Sequence, residues 1–141
     1  MHVLTTSLVP PVLALIGWTF VMWVWLYATR IPALRAARVD LVAISRTGAK
    51  LDVPPEVARV ADNYNHLHEQ PTIFYALALA AEHGAAVDGI SVALAWGYVA
   101  LRVIHSFVQA TRNVIIVRFY IFATASLVLF LLLLRTIVLL V

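Results

Sequence analysis

No charged side chain precedes Arg30. The run "VPPVLALIGWTFVMWVWLYATR" that ends there supplies about 20 apolar residues, which at ~1.5 Å per residue cover the ~30 Å hydrocarbon core of a bilayer. Soluble domains do not combine such a run with a mean hydropathy of +0.94 and only 12% charged residues. The chain is therefore expected to be an integral membrane protein. With no basic stretch ahead of the run and no small-x-small site behind it, the segment is read as a retained first span rather than a signal peptide.

Hydropathy along the rest of the chain gives an all-α integral membrane four-helix bundle in one domain, residues 1–141. The spans are expected at about Val9–Thr29, Ala58–His83, Gly89–Ala110 and Val117–Leu140. Short connections make the later spans antiparallel neighbours, in up-down order. The long connection, residues 30–57, and the start of the second helix hold six of the ten basic residues (Arg30, Arg35, Arg38, Arg46, Lys50 and Arg59). The positive-inside rule therefore places this loop in the cytoplasm and both termini outside. That placement explains the net charge of +3 without nucleic acid as a partner. Pro54 and Pro55 mark a helix start, with Asp52 as its cap and Glu56 in the first turn, where the helix dipole favours an acid. The chain has no cysteine, which excludes disulfides, thiolate metal sites and a cysteine nucleophile.

The stretch "RVADNYNHLHEQPTIFYALALAAEHG" places polar side chains directly against an apolar run. Arg59, Asp62, His66 and Glu69 are spaced i, i+3, i+7, i+10 and share a helix face; Arg102, His105, Gln109 and Arg112 repeat that spacing on the third span. Because the two helices run in opposite directions, Glu69 and Arg102 are the deepest members of their stripes. An ionisable group facing lipid costs several kcal/mol, so these groups are expected to face each other, as a Glu69–Arg102 ion pair with His66 and His105 on the next rung. Pro71 frees the Leu67 carbonyl and is expected to kink the helix beside them. The spacing suits a ligand site and equally a structural seam that only holds helices together. A third reading, His66, Glu69 and His105 as metal ligands, rests on an H-x-x-E spacing of low specificity, and no metal is assigned. Trp18, Trp23 and Trp25 are read as lipid-facing or interfacial aromatics, and Arg135 as a residue that snorkels to the outer interface.

The segments "HLHEQPTIFYALAL" and "LRVIHSFVQATRNVIIVRFYIF" resemble the MAPEG family, the membrane-associated proteins in eicosanoid and glutathione metabolism. The resemblance runs from about Arg30 to the end, and its most specific parts are Glu69-x-Pro71 and the Arg102-x-x-His105 to Arg118 spacing. It implies a divergent, bacterial-type member in an inner membrane. It also implies a homotrimer with glutathione as co-substrate, held between subunits near the cytoplasmic side, and a lipophilic substrate that arrives through the membrane lipids. On this basis Arg118 and His105 are the candidate catalytic residues, and Glu69, His66, Asn65, Arg102, Arg30 and Arg112 the candidate ligand-binding ones. Asp62, Asn65 and His66 stand where the well-studied glutathione-using members carry Arg, Arg and Asn. Gln109 replaces the tyrosine of eicosanoid-making members, while Phe119 and Phe122 replace a serine and a tyrosine of prostaglandin synthase. Two functions from different classes follow: a glutathione-dependent transferase or peroxidase acting on lipophilic electrophiles, or a non-catalytic bundle whose polar seam is structural or binds lipid.

Overall fold

The computed structural model describes residues 6–38, 40–48 and 53–141. Lys50 and the expected cap Asp52 lie outside the described residues. Those that are described form six helices and no strand: α1 Val9–Ala36, α2 Leu41–Thr47, α3 Pro55–His66, α4 Gln70–His83, α5 Gly89–Ala110 and α6 Ile115–Leu140. Among them α1, α5 and α6 are long and apolar enough to cross a membrane.

Two boundaries differ from expectation. Helix α1 continues past Thr29 to Ala36, with Pro32 inside it, so the long connection is shorter and contains α2. The second span, expected as one helix, is two. Helix α3 ends at His66 and α4 begins at Gln70, with Glu69 at φ −93°, ψ −97° between them. Pro71 lacks the N–H that would continue the ladder to Leu67. The chain closes with tighter bonds instead, from Leu67 N–H to the Tyr64 carbonyl at 3.2 Å and from His68 N–H to the Asn65 carbonyl at 2.9 Å. Restarting, α4 carries Pro71 in its first turn, where a missing donor costs nothing.

Contacts between helix ends establish the antiparallel order. Arg59, near the start of α3, donates to the Thr111 carbonyl at the end of α5, at 3.0 Å. At the other end of the molecule, Glu82 of α4 accepts from the Ser7 hydroxyl at 2.7 Å and from the Leu8 N–H, capping α1 from another helix. A Cβ at Gly84 would lie 2.6 Å from a Leu140 methyl, so the ends of α4 and α6 touch. Asp88 caps α5 through Ser91 N–H at 2.9 Å and binds Arg135 of α6. Arg135 is thus held by a carboxylate, in place of the snorkelling role expected from sequence.

Phe74 and Tyr98 meet in the core with ring centroids 4.8 Å apart. Around them Ala78, Ala81, Ala95 and Ala125 are almost fully buried, small residues that let helices approach closely. The outer surface is apolar, with Phe20 63%, Ile115 78% and Val138 67% exposed, as a lipid-facing sheath requires. Trp23 belongs to that surface, but Trp18 and Trp25 turn inward onto Phe107, at centroid distances of 5.2 and 6.4 Å.

Candidate functional site

The buried face of α3 is built from Val57, Val60 and Asn63, followed by Leu67. Asp62 and Asn65 are therefore exposed: α3 presents a different face from the one assigned by its charged residues, because the apolar Val57, Val60 and Leu67, at i, i+3 and i+10, outweigh them and carry Asn63 inward. On α5 the expected stripe is inside for three of its four members, with Arg102 1%, His105 2% and Gln109 4% exposed. Arg112, beyond the end of that helix, is exposed.

The Glu69–Arg102 ion pair does not form. Glu69, 65% exposed, bonds His66 Nδ1 at 2.7 Å, while Arg102 Nη2 donates to the His66 carbonyl at 2.9 Å. The break explains both contacts. Ending α3 at His66 leaves carbonyls without helical donors and at the negative end of the helix dipole, so a deep cation finds a backbone acceptor there. The same interruption turns Glu69 outward. Deeper still, Gln70 ties the break to the other helices, its Nε2 donating to Ser126 Oγ at 2.7 Å and its Oε1 accepting from Tyr98 Oη at 3.4 Å.

Beside the break lies a cleft of about 360 Å³ lined by His66, His105, Ile115, Arg118, Phe119 and Phe122. The His66 ring is 5.3 Å from His105 and 5.4 Å from Phe122, and the Arg102 guanidinium sits 5.8 Å from the Phe122 centroid, in cation–π range. Arg118 Nη1 donates to Asn113 Oδ1 at 2.5 Å. Asn113 occupies the left-handed region, φ 52°, a conformation asparagine tolerates, so the turn between α5 and α6 orients the arginine.

Of the expected site residues, the structure gathers His66, His105 and Arg118 in the cleft, with Arg102 behind it and Glu69 joined through His66. It does not bring in Asn65, which is exposed, or Arg30, since no residue of α1 lines the cleft. Arg112 lines a separate groove. The three-ligand reading of His66, Glu69 and His105 is not assembled, because no group of three such side chains converges among the described residues.

Sequence reasoning passed over Ser106, and gave Asn63 no role beyond its place in the polar stretch of the second span. Both are buried, and Asn63 Nδ2 and Oδ1, Ser106 Oγ, Arg102 Nε and Nη1, Gln109 Oε1 and Arg118 Nε have no hydrogen-bond partner. The signal was available in the spacing: Asn63 follows Val60 by three, and Ser106 follows Arg102 by four, each continuing a buried face.

The family model of the MAPEG family matches residues 8–138, nearly the whole chain. The all-helical fold and apolar sheath define an integral membrane protein, and the chain belongs to the MAPEG family. No curated protein and no solved structure matches it.

Proposed function

We propose that this protein is a glutathione-dependent transferase or peroxidase that acts on lipophilic electrophiles from the bilayer. One observation carries the reading: Arg118, oriented by Asn113, stands in a cleft with His66 and His105. The cleft falls in the ~300–1,000 Å³ range of small-molecule sites. A guanidinium in the wall of a cleft fits a carboxylate or thiolate. The tripeptide carries two carboxylates, and the cleft offers one cation, so a second must come from outside the lining. A homotrimer that holds the ligand between subunits would supply it.

In the reaction Arg118 holds the sulfur as thiolate, since a nearby cation lowers a thiol pKa. The thiol proton passes to water, with His105 in the cleft wall as a relay. The sulfur pair then forms a C–S bond with the electrophile, and the leaving group departs with its electron pair. His66, held by Glu69, orients the anion from the opposite wall. Helices α3 and α4 serve as the fourth span of the bundle. The arginine-rich end carrying Arg30, Arg35, Arg38, Arg46 and Arg59 faces the cytoplasm, in a bacterial inner membrane.

The second reading, a non-catalytic bundle with a structural or lipid-binding seam, is favoured at one place, where Arg102 Nη2 bonds the His66 carbonyl and ties α5 to α3. Melting the purified protein in detergent with and without millimolar glutathione, alongside Arg118→Ala, separates the two. Under the enzyme reading glutathione stabilises the wild type by ~2.7 kcal/mol at a hundred times its Kd. The variant loses that stabilisation while its ligand-free melting temperature holds, and conjugation assays with the two proteins diverge in parallel. No shift in the wild type overturns the glutathione reading and leaves the scaffold.

A further inference from the structure

Arg112 lies outside the cleft just described, and its surroundings have a chemistry of their own. With Phe107, Val108, Thr111, Val114 and Val117 it lines a groove of about 330 Å³ that shares no residue with the thiol cleft. On α6, Val117 faces away from Ile115, Arg118 and Phe122, so the two hollows lie on different sides of that helix. The wall is apolar except at one end, at Thr111 and Arg112. Arg59 bonds the Thr111 carbonyl, and Arg112 follows Thr111, exposed and with no carboxylate partner among the described residues. These cations sit where α5 has ended at Ala110 and α6 has yet to begin at Ile115, the level at which an apolar helix leaves the hydrocarbon.

We propose that this groove binds an anionic phospholipid, with one acyl chain along Phe107, Val114 and Val117 and the phosphate against Arg112 and Arg59. An apolar trough ending at Arg112, which has no carboxylate partner among the described residues, with Arg59 on the adjoining Thr111 carbonyl, matches the two halves of such a lipid. Arginine supplies the bidentate geometry that phosphate favours. Two adjacent cations select a net negative headgroup over a zwitterionic one, whose ammonium they repel. The proposal is independent of the thiol cleft.

Tryptophan fluorescence reads the groove directly, because Trp18 and Trp25 pack on its Phe107. The protein is reconstituted in phosphatidylcholine vesicles containing a small, equal fraction of either brominated phosphatidylglycerol or brominated phosphatidylcholine. Trp23 and Trp96, 43% and 45% exposed, report bulk lipid equally in both, so the difference in quenching measures selective occupancy. Phosphatidylglycerol should quench in excess of its mole fraction. Arg112→Gln should reduce the excess about five-fold, the scale of one interfacial basic residue. Arg112→Lys should keep most of it, and Arg46→Gln on α2 should leave it unchanged. Equal quenching by the two lipids overturns the proposal. So does an equal loss in Arg46→Gln, which would indicate diffuse surface charge, or retention of the excess in Arg112→Gln. As Arg112 is exposed and unpaired, its variants leave folding intact, which the far-ultraviolet circular dichroism melt of the same samples checks.

Discussion

Arg102 is buried between α3 and α5, yet the oxygen it reaches is a main-chain carbonyl. This choice reverses the order of importance expected from spacing. A pair of opposite charges at depth would make Glu69 indispensable, but Glu69 is 65% exposed and holds only His66. Glu69→Gln is therefore expected to change stability in detergent by less than ~1 kcal/mol, the scale of an exposed ion pair. Arg102→Met keeps the volume but leaves the His66 carbonyl only the long bond from Glu69 N–H, at 3.4 Å, and should cost about 1–3 kcal/mol. Equilibrium unfolding of both variants checks the order, and a larger loss in Glu69→Gln would restore the ion pair. The spacing of Arg102 and His105 made their burial legible, because period and polarity suffice for that. Their partners were not legible, since they depend on a carbonyl released by a break whose backbone course no side-chain pattern records.

At the scale of the element, boundaries set by hydropathy or by strong caps were readable. Helix α5 runs over Gly89–Ala110 as expected, between an Asp88 cap and the Thr111 turn. The extension of α1 to Ala36 was hidden, because Arg30 and Arg35 end the apolar pattern without ending the helix. Pro71 announced a disturbance in the second span, but its depth comes from contacts on both sides: Arg102 holds the His66 carbonyl, and Gln70 is tied to Ser126. Pro71→Ala alone should accordingly fail to fuse α3 and α4. Amide exchange at Leu67 to Glu69 should stay fast relative to the α5 interior, and protection rising to α5 levels would show that the proline alone makes the break. A second element-scale expectation concerns the end of α4. Ala86 N–H bonds the Ala81 carbonyl at 2.8 Å across Ala85, which adopts φ 52°, a position that favours glycine. Ala85→Gly should stabilise the protein by roughly 0.5–1 kcal/mol, the left-handed strain outweighing the added chain entropy. A lower melting temperature would contradict this.

The two ends of the whole molecule are chemically unlike. One carries most of the arginines and both polar hollows; the other is closed by acids, with Glu82 capping α1 and Asp88 joining α5 to α6 through Arg135. The charge asymmetry was plain in the sequence, but the clasp was not, because Asp88 and Arg135 are 47 residues apart and nothing local pairs them. Its consequence is a dependence on acid. The Arg135 guanidinium, helped by the Ser91 N–H, holds the Asp88 carboxyl well below the usual carboxylate range. A group whose value is lower folded than unfolded binds protons more readily in the unfolded chain, so its contribution is full above the ordinary value of about 4 and fades as pH falls through the folded one. The melting temperature in detergent should thus decline from about pH 4 downward. Asp88→Asn should lower it at neutral pH, flatten the acid limb and leave unchanged the stabilisation by glutathione proposed for the cleft at the opposite end. An acid limb as steep in Asp88→Asn as in the wild type would assign the decline to other carboxylates. Loss of the glutathione effect in that variant would mean that the clasp sets the geometry of the whole bundle, including the distant cleft.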